Sequence, residues 1–297
     1  MATPGAGRYA PSPSGDLHLG NLRTAVVAWL LARSTGRRFL LRIEDLDAVR
    51  SDPAVALRQR ADLAALGLDF DPPLVVQSER CGAYEAALEQ LGDRVYECFC
   101  TRREIAEAAS APHGRVGHYP GTCASLSVAE RARRRAERPA ALRVRAAAAT
   151  STVWDRWAGE VTEVVDDFVV RRNDGTAAYN LAVVVDDGAA GVDQVVRGDD
   201  LLDSSPRQAW LARELGLSAP SYAHVPLAVN AAGKRLAKRD GAVTLADLAA
   251  VGVGPAEVLG RIAVSLRLAE VGEPVTVAVL LDRFDPGALP REPWVVA

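Results

Sequence analysis

Gly7-Arg-Tyr-Ala-Pro-Ser-Pro-Ser-Gly-Asp-Leu-His-Leu-Gly-Asn-Leu-Arg-Thr-Ala-Val-Val-Ala-Trp-Leu-Leu-Ala-Arg-Ser-Thr-Gly36 is the stretch that decides the fold. Gly7 to Pro11 reads as a short strand, Pro11 to Gly15 as a turn, and about Leu22 to Thr35 as a helix stopped by Gly36. The same strand, loop and helix rhythm continues outward. Phe39 to Ile43 is an apolar strand interrupted by Arg42, and Asp52-Pro53 supplies an N-cap and a first-turn proline for a helix to Gly67. Leu74 to Gln77, a helix around Tyr84 to Leu91, and Val95 to Phe99 extend the pattern. Such alternation predicts a doubly wound parallel α/β sheet, whose ligands lie beyond the C-terminal ends of its strands.

Beyond residue 97 the texture changes. Thr101 caps a helix, a Gly/Pro/His loop runs from Pro112 to Thr122, and Ser127 to Arg138 forms an arginine-rich helix. Leu142 to Val170 alternates as strands do, Arg172-Asn-Asp-Gly175 is a hairpin turn, and Tyr179 to Asp187 reads as a buried strand. Ser205-Pro206 starts a helix ending at Gly216, and two short helices, broken at Gly252 to Pro255, follow Gly241. The expected division is a first half of an α/β domain (1–97), an inserted subdomain (98–170), a second half of that domain (171–241) and a short helical region (242–297).

With 297 residues, 49% of them apolar, the chain can bury a sizeable core, so general disorder is excluded. The longest apolar run, Ala25 to Ala32, is far below the roughly 20 residues of a bilayer span, and the start MATPGAGRYAPS lacks the apolar core of a signal peptide. A cytoplasmic protein with no membrane partner, and a monomer, is expected. Acidic residues exceed basic ones, 38 to 35, so a nucleic-acid partner must meet a local patch rather than a polycationic surface. The four cysteines form no disulfide framework, and Cys98-Phe99-Cys100 has a spacing suited to a metal.

Of 35 basic residues only two are lysines, Lys234 and Lys238, both inside Gly233-Lys-Arg-Leu-Ala-Lys-Arg-Asp-Gly241. A compact, flexible ammonium can follow a moving phosphate charge in a way a planar guanidinium cannot. A solvated charged loop is the plainer reading. At the other end of the chain, Ser14-Gly-Asp-Leu-His18-Leu-Gly20-Asn21 places an imidazole and an amide at a helix N-terminus, where anions are favoured. His18 and Asn21, three apart, share one face of the first turn and can donate to phosphate oxygens; an ordinary polar cap with an incidental histidine would read the same.

Taken together, His18-Leu-Gly-Asn21 and Arg235-Leu-Ala-Lys-Arg239 resemble the two nucleotide signatures of class I aminoacyl-tRNA synthetases. Gly7 to Gly15, Leu41-Arg-Ile-Glu-Asp45 and Val196-Arg-Gly-Asp199 are similar to the glutamyl branch of that class. The resemblance covers roughly Gly7 to Leu268. Glutamyl-tRNA synthetases carry a large helical anticodon-binding region after the lysine loop, and only residues 242–297 follow here. With Val183-Val-Val-Asp-Asp187 and Leu201 to Arg207, the chain looks like the truncated members that attach glutamate to the queuosine base of the tRNA(Asp) anticodon.

The resemblance implies a Rossmann-like sheet of class I synthetase type with an inserted zinc-binding, acceptor-type subdomain. It implies a glutamate pocket of Arg8, Ser12, Glu44, Tyr179 and Arg197, and an ATP site of Gly15, His18, Gly20, Asn21, Arg235, Leu236, Ala237, Lys238 and Arg239. His18, Asn21 and Lys238, with Mg2+, would act on the phosphate charge. Two positions depart from the family: Ala237 replaces a hydroxyl residue and Arg235 a common lysine. Physical chemistry suits the pocket, since an amino acid with two carboxylates needs cationic forks and one anion for its ammonium. Plainer partners exist: Arg42 or Arg23 for Glu44, and Asp199 or Asp200 for Arg197. Cys98, Cys100, Tyr119 and Cys123 resemble the zinc site this family often carries, with His113 and His118 as rival fourth ligands. Two other functions fit the same motifs: adenylate formation with a different acceptor, and a non-catalytic relative that holds tRNA or nucleotide.

Overall fold

The structure, a computed structural model, describes residues 4–109, 119–234, 236 and 243–296. Strand β1 (Ala6–Tyr9) is buried along its whole length and pairs in parallel with β2 (Arg38–Ile43). Helix α1 (Leu19–Arg33) joins them and begins three residues before Leu22, because His18 supplies the cap. Ala25 through Ala32 are all buried, so α1 is a central helix with no solvent face. Helix α2 (Pro53–Ala65) starts as expected: Asp52 Oδ1 accepts from the Ala54 amide at 2.8 Å, with Pro53 in the first turn. Strand β3 (Val75–Val76) closes this edge of the sheet, parallel to β2.

After α3 (Cys81–Leu91), β4 (Val95–Cys98) departs from the expected parallel series. It pairs antiparallel with β5 (Ala141–Val144), which pairs antiparallel with β8 (Phe168–Arg171), forming a separate three-stranded sheet. The reason lies in Val95-Tyr-Glu-Cys98, where burial alternates; that is the pattern of a strand covered on one face, whereas a parallel strand between two helical layers is apolar throughout. Between β4 and β5, Thr101 caps α4 (Arg102–Ala109), and Ser127 with Glu130 forms a capping box on α5 (Val128–Glu137). The hairpin of β6 (Ala149–Asp155) and β7 (Gly159–Val165) extends the main sheet.

Tyr179 to Asp187, expected as a strand, lies in helix α6 (Tyr179–Ala190). Leu181 through Asp187 are all buried, so no polar face marks a helical period. Gly191, left-handed at φ 69°, ends the helix. Strand β9 (Val192–Gly198), helix α7 (Ser205–Glu214) and strand β10 (Ser221–Val225) follow. The main sheet runs β3-β2-β1-β9-β10-β6-β7, parallel except for β7. The order in which strands are added switches sides between β1 and β9, the place where a doubly wound sheet opens a crevice.

Past β10 come β11 (Ala228–Val229), α8 (Leu245–Ala250), α9 (Pro255–Ser265), α10 (Val277–Asp282) and β12 (Trp294–Val295), which pairs with β11. Three helices stand where two were expected. Val277 to Asp282 is too short to show a period and begins only because Thr276 caps it. Val258, Leu259 and Ile262 of α9 join α1 in the largest apolar cluster, each contributing about 1.5–3 kcal/mol by burial. No helix among the described residues is long and apolar enough to cross a membrane.

Candidate active site

A cleft of about 680 Å3 opens at the crevice between the C-terminal ends of β1 and β9. Arg8, Ser12, Gly15, His18, Gly20, Asn21, Glu44, Tyr179, Arg197 and Leu236 all line it. The described residues proposed from sequence for glutamate and ATP thus converge on one space. Arg235, Ala237, Lys238 and Arg239 lie outside the described residues, but Leu236 between them lines this cleft and the chain returns beside His18 at Thr244. Leu236 donates its amide to Ala228 O at 3.1 Å, and Val243 O accepts from Leu19 N at 3.1 Å, beside a bridge between His18 and Thr244.

The first turn of α1 is internally satisfied. His18 Nδ1 accepts from the amides of Gly20 (3.1 Å) and Asn21 (3.3 Å), while Asn21 Oδ1 accepts from His18 N at 3.3 Å. An imidazole that accepts at Nδ1 carries its proton on Nε2, and an amide that accepts through Oδ1 keeps its NH2 to give. What this turn can offer an anion is therefore side-chain N–H rather than the backbone amides of the helix end. A Cβ at Gly20 would come within 3.0 Å of Ala228 Cβ and of His18 Cε1, so glycine lets the turn close against β11. The preceding loop is clamped by Gln59, fully buried on α2, whose Nε2 donates to Ser12 O at 3.1 Å and Gly15 O at 2.7 Å.

The polar end of the cleft is a framework of buried charges. Asp187 on α6 accepts from Arg42 NH1 at 2.5 Å and Arg8 Nε at 3.3 Å, and Arg42 NH2 donates to Glu44 Oε1 at 3.0 Å. Burial alone would raise the Asp187 carboxyl, but Arg42 and Arg8 outweigh it and hold it below the ordinary range. Asp186, one residue earlier, pairs with Arg80 at 2.5 Å and also accepts from Gln77 and Tyr84. Arg42 is thus Glu44's partner while Glu44 still faces the cleft.

Arg197 is held differently. Its donors go to His224 Nε2 (3.0 Å), Gln208 Oε1 (2.8 Å), Ser205 Oγ (2.8 Å), Leu201 O (3.2 Å) and Tyr179 Oη (3.4 Å). None of these acceptors is a carboxylate, so the Asp199 and Asp200 partnership considered for it is not formed. The contact with Tyr179 is the longest and lies on the cleft side. Burial, then the charge of Glu44, raises the Tyr179 pKa, so its hydroxyl remains a donor. Among the described residues the charged side chains that line the cleft are Arg8, Arg197, Glu44, Asp16 and Asp200, with Arg42 and Asp187 behind them. Arg42 was foreseen only as a plain partner of Glu44, and Gln59, Asp187, Gln208 and His224 were not foreseen around the site; for Asp187 and His224 a polar residue inside a mostly apolar element was the signal available.

Outside the cleft, Cys98, Cys100 and Cys123 bring their sulphurs within 4.8 Å of one another. Tyr119 Oη lies 3.4 Å from Cys98 Sγ and 3.9 Å from Cys100 Sγ, and accepts from Cys123 N at 2.8 Å. The 3.5 Å between Cys100 and Cys123 sulphurs suits two thiolates on one tetrahedral ion, for which bonds of about 2.3 Å put sulphurs just under 4 Å apart. The cluster could hold a metal ion. His113 and His118 lie outside the described residues. Cys81 matches no motif, and although a free cysteine of this kind is ordinarily buried, it is exposed.

A parallel sheet with a histidine-capped first helix and a polar cleft at its crevice is the architecture of a class I synthetase catalytic domain. The family described as tRNA synthetases class I (E and Q), catalytic domain, matches residues 6–263, and the chain belongs to this family and is a ligase. Over 98% of its length it is 61% identical to the glutamyl-Q tRNA(Asp) synthetase of Nocardia farcinica, covering 93% of that protein. It is 52% identical to that of Cutibacterium acnes, over 91% of this chain and 78% of that one. Its particular place in the class is among these glutamyl-Q tRNA(Asp) synthetases. A crystal structure of a glutamate tRNA ligase from Elizabethkingia meningosepticum, in complex with its amino acid, superposes with TM-score 0.82 and 26% identity, over 98% of this chain and 67% of that one.

Proposed function

We propose that this chain activates glutamate with ATP and transfers it to the queuosine base in the anticodon of tRNA(Asp). The observation that carries the reading is that Arg8, Arg197 and Glu44 line one cleft: two guanidiniums and one carboxylate face an amino acid with two carboxylates and one ammonium. Arg8, Arg197 and the hydroxyls of Ser12 and Tyr179 would take the carboxylates, and Glu44 the ammonium. In the first step a glutamate α-carboxylate oxygen attacks the α-phosphorus of ATP, the bond to the β-phosphate oxygen breaks, and pyrophosphate leaves. A tRNA nucleophile then attacks the glutamyl carbonyl and AMP departs. No covalent enzyme intermediate is needed.

Phosphoryl transfer is mostly positioning and charge neutralisation. His18 Nε2–H and the Asn21 amide would meet the phosphates from one wall and Lys238 from the other, with Gly15, Gly20, Arg235, Leu236, Ala237 and Arg239 shaping the nucleotide site. Magnesium would enter on the triphosphate, as part of the substrate. The donor chemistry of Cys98, Cys100, Cys123 and Tyr119 fits zinc, which when bound would tie the loop after β4 to the turn at 119–123 as a structural link. The residues 98–170 are the segment proposed to meet the acceptor, with 1–97 and 171–241 forming the catalytic halves and 242–297 the helical support.

The test incubates the protein with ATP, labelled glutamate and total tRNA, followed by nucleoside mass spectrometry. Label on queuosine supports the reading. Label on a terminal adenosine redirects it to ordinary charging, and adenylate without labelled tRNA points to another acceptor.

A further inference from the structure

One buried titratable group plays no part in the scheme above. His224 on β10 and Asp155 on β6 are 3% and 0% exposed. Asp155 Oδ1 accepts from the amides of Trp157 and Ala158, both at 2.9 Å, and Oδ2 accepts from His224 N at 3.0 Å. The same Oδ2 lies 2.7 Å from His224 Nδ1. Arg197 Nε can only donate, and it lies 3.0 Å from His224 Nε2, so Nε2 carries the lone pair and Nδ1 the proton. Burial, above all, lowers the His224 pKa, which keeps the ring neutral near pH 7.

Ser205 Oγ, 3.2 Å from His224 Nε2, completes the outline of a hydrolytic triad. That chemistry is closed to it. Ser205 is 0% exposed, and the lone pair that would take its proton is already engaged by Arg197.

We propose that His224, oriented by Asp155, is a positioning residue that fixes the Arg197 guanidinium for a substrate carboxylate while leaving its charge uncancelled. A carboxylate in direct contact with Arg197 would fix it equally well but would neutralise it; a neutral imidazole between Asp155 and Arg197 gives the geometry without the ion pair. Three short contacts, to His224, Gln208 and Ser205, hold the fork from inside the fold. The long contact to Tyr179 leaves the cleft side to exchange with substrate. This inference rests on the glutamate pocket proposed above.

Two measurements test it. In the wild-type protein labelled with 15N-histidine, the His224 Nε2 resonance is expected in the unprotonated range and Nδ1 in the protonated range; a protonated Nε2 at neutral pH overturns the proposal whether or not the protein activates glutamate. In glutamate-dependent pyrophosphate exchange, H224F, which keeps a ring against Tyr222 but removes the acceptor, is expected to raise KM for glutamate about tenfold or more, with KM for ATP and kcat changed less than about threefold. H224Q, which restores a neutral acceptor where Nε2 stood, should recover most of that loss. Unchanged glutamate KM in folded H224F contradicts the proposal, as does an equal loss for glutamate and ATP that H224Q does not rescue. If H224F does not fold, H224Q and the resonance assignment still decide. No exchange in the wild type defeats the glutamate reading instead, and leaves the tautomer to be judged alone.

Discussion

The cleft and the cysteine cluster are both polar sites in a largely apolar chain, and they are assembled by opposite means. Arg8, Glu44, Tyr179 and Arg197 come from four separate parts of the chain and are each held by protein groups: Asp187, Arg42, and the neutral shell of His224, Gln208 and Ser205. The cluster is local, drawn from residues 98–123, and packs three thiols against one another and a phenol. Three thiols this close would need a cation once ionised, whereas the cleft's arginines and carboxylates pair with one another within the fold. The cleft is therefore preorganised by the sheet, and the cluster is one that a bound ion would complete.

That contrast can be broken in graded steps. The largest expected effect is on the cleft: Lys238→Ala should lower glutamate-dependent pyrophosphate exchange about a hundredfold or more while leaving metal content untouched. Replacing glutamate by glutamine, whose zwitterion is neutral, should reduce kcat/KM for exchange about a hundredfold, because a buried guanidinium is left unpaired. Comparable rates for the two amino acids would refute the pairing of two guanidiniums with two carboxylates. Cys123→Ser should abolish stoichiometric zinc, measured by mass spectrometry of the metal, and lower Tm, yet cost exchange less than about tenfold; equal damage to both sites would mean the two regions are one unit. Smaller still, Gln59→Leu frees the loop at Ser12 and Gly15 and should cost about 1–3 kcal/mol in urea unfolding. Asp52→Ala, at the N-cap of α2, should cost about 1 kcal/mol in the same assay.

The same contrast sorts what could be read from the sequence. Signals confined to a few neighbouring residues were legible: the strand, loop and helix of Gly7 to Gly36, the Asp52-Pro53 start, the Thr101 and Ser127 caps, and the close set of cysteines. The meeting of Arg8, Glu44, Tyr179 and Arg197 in one cleft was legible only through family motifs, since nothing local brings Arg8 to Arg197. Helix α6 was not legible because its buried turns present no polar stripe, although Gly191 marked its end. Strand β4 was misplaced because four residues carry too little pattern to separate an alternating strand from a buried one. His224, Asp155 and Gln59 escaped because burial of a polar side chain is decided by elements far away in the chain, and only their assembly reveals the partner.

The central claim is that the histidine turn at residue 18 and the lysine loop at residue 238 close on one ATP beside a glutamate pocket. Exchange of labelled pyrophosphate into ATP, driven by glutamate, measures this most directly in the wild type, His18→Ala and Lys238→Ala. The account predicts exchange in the wild type and its collapse in both variants, each still folded and each still able to take up glutamate. Exchange that survives undiminished when either side chain is removed, or a wild type that exchanges nothing in the presence of glutamate, would contradict it.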